Sequence, residues 1–253
     1  MISTPISTTP DPLSRLSVMG LPVHYGADYV GWLLASMRSG LGGHVITLNA
    51  EMCIQAETNT ELQAIIQKAT LVIPDGAGIE LYFQWVQQQK LKRYAGIEFA
   101  ADVMEQLNPL ESVVFYGGAP GLAATAAQYW QQQFPNLKVE IAQHGYLSGT
   151  EQLELRNELK TLQPSIIFVG LGVPRQELWI ANHRHLCPHA IWIGVGGSFD
   201  IWAGQKQRAP RWMCNNNLEW LYRLYQEPWR WRRMLALPKF VFHSIGYDLG
   251  WRH

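Results

Sequence analysis

Short apolar runs alternate with helix-patterned stretches over most of the chain. Leu71-Val72-Ile73, with two β-branched residues, reads as a buried strand. Pro74 cannot donate to a sheet ladder, so the strand should stop there. Gly76 and Gly78 permit a tight turn, and a helical pattern follows over 78–89. Upstream, 44–49 reads as a strand ending in polar residues, between helices over 29–37 and 59–69, the latter capped by Asn59 or Thr60. Residues 93–98 form a loop that leads into a helix up to about Leu107. Beyond it the alternation is clearer. Strands over 112–116, 137–141, 165–169 and 190–195 are separated by helices over 121–133, 151–162 and 175–183. Strands that alternate with single helices predict an α/β fold: a Rossmann-like, mostly parallel sheet with helices on both faces. The polar, Pro/Ser/Thr-rich residues 1–17 read as a disordered leader, 18–204 as the α/β core, and 205–253 as a C-terminal helical appendage rich in Arg and Trp.

Composition adds bounds. The chain has 253 residues, 47% of them hydrophobic, enough for one large core plus an appendage. The formal net charge is zero, but residues 205–253 hold nine Lys or Arg against three acids, a net of +6. That asymmetry points to an anionic partner for the C-terminal end. Cys53, Cys187 and Cys214 are far apart and odd in number, so neither a disulfide framework nor a zinc spacing follows, which suits a reducing cytosol. No signal peptide is visible, and no apolar run approaches the ~20 residues of a membrane span, so membrane contact is expected to be peripheral. Arginine forks and tryptophans around Arg208, Arg211, Trp212, Trp220, Arg223, Trp229 and Arg230 leave three readings open: an anionic bilayer surface, a nucleic acid, or a solvated basic face over buried Trp.

Candidate chemistry gathers at the strand ends, where ligands bind in open α/β sheets. Asp75 is a lone carboxylate at one of them; it either faces a ligand or caps the following helix. Gly117-Gly118-Ala119-Pro120-Gly121 allows close backbone approach to a phosphate, and Glu140 ends the next strand as an acid does in a dinucleotide site. The turn lacks the full GxGxxG pattern, so a nicotinamide-dependent oxidoreductase stands as the alternative reading. Gly170-Leu171-Gly172-Val173-Pro174-Arg175-Gln176-Glu177 is a second such loop, in which Gln176 could read a base edge. Gly194-Val195-Gly196-Gly197-Ser198-Phe199-Asp200 is a third, closed by another carboxylate. There is no Asp-x-Asp pair to hold a divalent ion against a diphosphate, and His183 and His185 fall on different helix faces. Neither a metal nor a cofactor is expected, and arginines would replace the cation.

Taken in order, Thr47-Leu48-Asn49, Pro74-Asp75-Gly76, Arg93-x-x-Gly96-x-Glu98, Tyr116-Gly117-Gly118, Gly170-Leu171-Gly172-x-Pro174-x-Gln176-Glu177, Gly196-Gly197-x-Phe199-Asp200, Arg208-Ala209-Pro210, Leu218-Glu219-Trp220-x-x-Arg223 and Glu227-Pro228-x-Arg230 resemble the WecG/TagA/CpsF glycosyltransferases. The resemblance runs from about Leu21 to Phe242. It implies inverting, metal-independent transfer of a sugar, often of N-acetylmannosamine type, from a UDP-sugar. The acceptor it implies is an undecaprenyl-diphosphate-linked sugar at the cytoplasmic membrane face, in cell-surface polysaccharide synthesis. It implies Asp75 as general base, with Thr47, Asn49 and Arg93 in the same pocket, and Gln176 and Asp200 against the uridine. It also implies Arg223, Arg230 and Arg233 closing over the diphosphate. Nucleic acid is then not a partner; a homo-oligomer is open. Two positions depart from the family pattern: Glu98, where many members have Asp, and Asn217, where many have Gly.

Overall fold

A computed structural model describes residues 13–249, save the side chain of Arg230. The strands are β1 (Ser14–Val18), β2 (Leu21–Tyr25), β3 (Gly43–Leu48), β4 (Leu71–Pro74), β5 (Ser112–Gly117), β6 (Lys138–Gln143), β7 (Ile166–Gly170) and β8 (Ile191–Gly194). The helices of the first half are α1 (Tyr29–Arg38), α2 (Ala50–Thr58), α3 (Thr60–Gln67), α4 (Gly76–Trp85) and α5 (Gly96–Glu105). Then come α6 (Leu122–Gln133), α7 (Gly149–Leu162), α8 (Arg175–His183) and α9 (Ser198–Trp202). The C-terminal part holds α10 (Arg211–Asn215), α11 (Glu219–Gln226), α12 (Trp231–Met234) and α13 (Ala236–Asp248).

Six strands form one parallel sheet in the order β4-β3-β8-β7-β5-β6. The predicted α/β class holds. Side chains alternate across it with the period of two that a strand imposes. Val45, Leu71, Ile73, Val113, Phe115, Ile166, Phe168, Ile191 and Ile193 enter one buried cluster beneath α1, α5, α6 and α9. Ile46, Leu48 and Val72 point the other way, into the layer of α2, α3 and α4. Val114, Tyr116, Ile167, Val169 and Trp192 fill the rest of that second face, under α7 and α8. Both faces are covered over the central strands, which is why those strands read as unbroken apolar runs, while edge strand β6 alternates and has no fully buried residue. All six carboxyl ends share one edge.

Three features differ from the sequence-based expectation. Of the expected leader, 1–12 lie outside the described residues, while Ser14–Val18 pairs antiparallel with β2 in a small second sheet. The reason is burial: Val18, Leu21 and Val23 join the α2–α4 cluster, and the Val72 N–H donates to His24 Nδ1 at 2.9 Å. The second is α2, capped by Asn49, whose Oδ1 accepts from Met52 N at 3.0 Å. The third concerns the boundary drawn at residue 204. Helix α13 packs against α2 and α4, and Phe240, 0% exposed, belongs to the core cluster of that face. The Tyr82 hydroxyl donates to Asp248 at 2.9 Å, adding a polar tie. The last helix is thus integral to the core.

Candidate active site

Asp75 follows β4 directly. Its backbone N–H donates to the Leu48 carbonyl at 2.8 Å, so the two neighbouring strand ends are locked together there. Gly76, with φ 78°, then turns the chain into α4 through a region that favours glycine. Asp75 occupies the N-cap position of α4, but its carboxylate makes no capping hydrogen bond. The capping alternative therefore fails, and the carboxylate faces a cleft. Burial pushes its carboxyl up, and Glu219 pushes the same way. Arg223, the Gly96 backbone N–H and Arg93 pull against them, and the balance is a pKa of about 6.

The cleft has two chambers. The larger, of about 620 Å³, runs along the sheet edge and is lined by Thr47, Asn49, Gly170, Gly172, Gln176, Gly196, Gly197 and Asp200 on the core side. Lys206, Arg208, Glu227 and Trp229 close it from the C-terminal side. The smaller, of about 140 Å³, is lined by Gly76, Ala77, Gly78, Arg93, Asn217, Trp220, Met234, Ala236 and Leu237. Asp75, Asn49, Glu51, Glu219, Arg223 and Arg233 belong to both walls. The carboxylate thus stands at the boundary between a large polar chamber and a small, partly apolar one.

Most of the expected residues converge. Thr47 lies on β3 with Gly96 packed against it, and a Cβ at Gly96 would come within 3.0 Å of Thr47 Oγ1. Arg93 donates to the Cys214 carbonyl and lies 3.7 Å from Glu219, joining the core to the C-terminal helices. Arg233 pairs with Glu51 at 2.7 Å. Asp200 lies 3.3 Å from Lys206 Nζ, which also reaches Glu227 at 3.0 Å. The Arg230 side chain lies outside the described residues. Asn217 adopts φ 60°, a conformation Gly favours and Asn tolerates, so its departure from the family pattern leaves the entry to α11 intact.

Three expectations need correction. Gly117 and Gly118 line neither chamber. A Cβ at Gly117 would sit 2.4 Å from the Gly170 carbonyl oxygen, and the Gly118 N–H donates to that carbonyl. These glycines let two strand ends approach closely. Glu140, the acid on which the dinucleotide reading depended, is paired with Lys138 on edge strand β6 and is absent from the cleft walls. Gln176, 2% exposed, is committed to the protein: its Oε1 accepts from Gly172 N at 3.2 Å and Gly196 N at 3.0 Å. Its Nε2 donates to Glu177 Oε1, and Glu177 in turn holds buried His44 at 2.6 Å. The residue ties two glycine loops together at the wall of the larger chamber.

Glu219, Lys206 and Glu51 are cleft residues that the sequence reading assigned no role. Glu219 lies inside the Leu218-Glu219-Trp220 motif, and its signal is an acid in a strongly basic segment. Only 9% exposed, it pairs with Arg223 at 2.5 Å. Burial raises its pKa, but Arg223, Arg208 and Arg93 outweigh that and hold it below the usual carboxylate range. Among the described residues, no group of three or more His, Cys, Asp or Glu is placed to hold a metal, and no helix is long and apolar enough to cross a membrane.

Comparison with known proteins adds the chemistry of relatives. The sequence profile of the "Glycosyl transferase WecG/TagA/CpsF family" matches residues 16–253. A Bacillus spizizenii protein named N-acetylglucosaminyldiphosphoundecaprenol N-acetyl-beta-D-mannosaminyltransferase is 33% identical over 208 residues, 82% of this chain and 80% of the relative. Proteins of the same name from Bacillus subtilis and Staphylococcus aureus (strain MW2) are each 32% identical, over 79% and 78% of this chain and 78% of each relative.

Proposed function

The chain belongs to the WecG/TagA/CpsF glycosyltransferase family, and from that premise we propose the reaction it carries out. It moves an N-acetylmannosamine-type residue from a UDP-sugar to the sugar of a polyprenyl-diphosphate acceptor, with inversion and without a divalent cation. The acceptor class is the one in the relatives' names. The observation that carries this reading is the uncapped Asp75 carboxylate on the wall common to two chambers.

An inverting transfer has the following balance. The acceptor hydroxyl oxygen bonds to the anomeric carbon while the bond from that carbon to the phosphate oxygen breaks. The hydroxyl proton passes to the Asp75 carboxylate, and UDP leaves with the electron pair. With a pKa of about 6, Asp75 is ionised at neutral pH yet more basic than an ordinary carboxylate, as a general base should be. The donor lies in the larger chamber, where glycine loops expose backbone and the C-terminal segment supplies Lys206, Arg208, Arg223 and Arg233. Charge developing on the leaving diphosphate is met by these cations, which take the part a metal plays elsewhere. The acceptor sugar reaches Asp75 through the smaller chamber.

The test offers UDP-sugars and a short-chain lipid-diphosphate acceptor to the enzyme with excess EDTA and follows product by mass spectrometry. Transfer from UDP-N-acetylmannosamine is expected at an undiminished rate. Turnover that appears only on addition of Mg²⁺ or Mn²⁺ would refute the cation-free scheme, and failure with every UDP-sugar would refute the donor class.

A further inference from the structure

Glu219 is the first residue of α11, far in sequence from β4, yet it forms part of both chamber walls beside Asp75. Three guanidinium groups reach it from three parts of the chain. Arg223 Nη2, one turn along the same helix, is 2.5 Å from Oε1. Arg93 Nη1, from the core loop before α5, is 3.7 Å from Oε2. Arg208 Nη2, from the segment that leads into the C-terminal helices, is 4.0 Å from the same oxygen. Arg93 also faces Glu80 at 3.9 Å and donates to the Cys214 carbonyl, and Arg208 is held by Glu98 at 2.7 Å. Arg208 Nε is buried and has no hydrogen-bond partner among the described residues.

We propose that Glu219 is a positioning residue: its single carboxylate gathers Arg93, Arg208 and Arg223 into one cluster opposite Asp75 and fixes the C-terminal helices over the cleft. The proposal rests on the reading of Asp75 as base and of the cleft as a diphosphate-sugar site. The physical argument is one of charge. Three guanidinium groups within reach of one another repel, and each long side chain loses rotamer freedom when held. A buried carboxylate offsets both costs and fixes where positive charge stands before the donor arrives, which is the preorganisation that electrostatic catalysis requires. Glu219 also sets the field at Asp75. It opposes ionisation of Asp75 directly, while Arg223 and Arg93, which it partly neutralises, favour it.

The experiment compares Glu219→Gln and Glu219→Asp with the unmodified enzyme for UDP binding by calorimetry, donor KM and the pH profile of kcat/KM. Glu219→Gln is expected to weaken UDP binding and raise donor KM by ~10-fold, about the value of one charge-assisted contact network. It is also expected to move the acid limb of the pH profile down by ~1 unit, as a nearby negative charge is removed. A purely structural role would lower the active fraction without moving that limb. Glu219→Asp keeps the charge but draws it back from Arg93 and Arg208, so an intermediate loss of UDP affinity is expected. It decides the matter if Glu219→Gln does not fold. UDP binding unchanged or tighter in a folded variant overturns the proposal. Asp75→Asn, assayed alongside, separates the two readings: if it stays active, the assigned base is wrong, while the UDP-binding result still judges Glu219.

Discussion

A carboxylate at a strand end is ambiguous by itself, because aspartate caps helices as readily as it serves chemistry. At Asp75 the surroundings count against a cap. It caps nothing, and its raised pKa signals an environment that resists its charge. Such a group costs stability. The unfolded pKa is near 3.8 and the folded one about 6, so the cost is absent below pH 4, grows between those values and is fully present above pH 6. Asp75→Asn is accordingly expected to raise the melting temperature at pH 8 by several degrees, up to about 3 kcal/mol of stability, and far less at pH 4. The same variant should lose ~10²–10⁴ of turnover while it still binds UDP. In the unmodified enzyme, kcat/KM should rise with pH through a midpoint near 6. Near-normal transfer by Asp75→Asn, or an acid limb near pH 4, would contradict the assignment.

At the scale of elements, the strands were legible because a two-sided parallel sheet leaves near-continuous apolar runs. Helix α2 was missed although its signal was present: Asn49 and Asn59 cap two successive helices, and only the second was read as a cap. Strand β1 is short and polar, and its pairing with β2 is not written in either segment alone. Helix α13 shows the largest difference. Its exposed Val241, Phe242 and Ile245 resemble a surface element, while Phe240 in the same run is fully buried. Phe240→Ala should therefore destabilise the protein by about 3–5 kcal/mol, as for other buried aromatics. Chemical denaturation is the check, and a loss below ~1 kcal/mol would show that α13 is dispensable to the core. For the same reason removal of 205–253 uncovers the α2–α4 face, so point substitutions are the better probes of the C-terminal segment.

Over the whole molecule, positive charge and exposed aromatic surface coincide. The last 49 residues carry the +6 excess, and Trp212, Trp229, Trp231, Phe242 and Leu249 are all exposed there. Tryptophan with Arg suits the boundary of an anionic bilayer, and a lipid-linked acceptor would bring the enzyme there. Cosedimentation with vesicles containing anionic lipid is expected. Trp229→Ser combined with Phe242→Ser should reduce it several-fold without loss of fold, and 1 M salt should weaken it. Binding equal to that of the unmodified protein would place any membrane contact elsewhere.

The layer architecture is legible in the amino-acid order, because burial on both faces imposes apolar periodicity locally and tight turns at strand ends call for glycine. So is the family, because many short motifs in fixed order carry more information than any one of them. Which of those residues meet is set by packing in three dimensions. Gly117, Gly118 and Gln176 have the right neighbours in sequence, but packing spends them on holding strand ends and loops together. Glu219 looked like a stray acid in a basic tail. It becomes the centre of an arginine cluster only when folding brings positions 93, 208 and 223 within 4 Å of it, since charge acts through space and not along the chain.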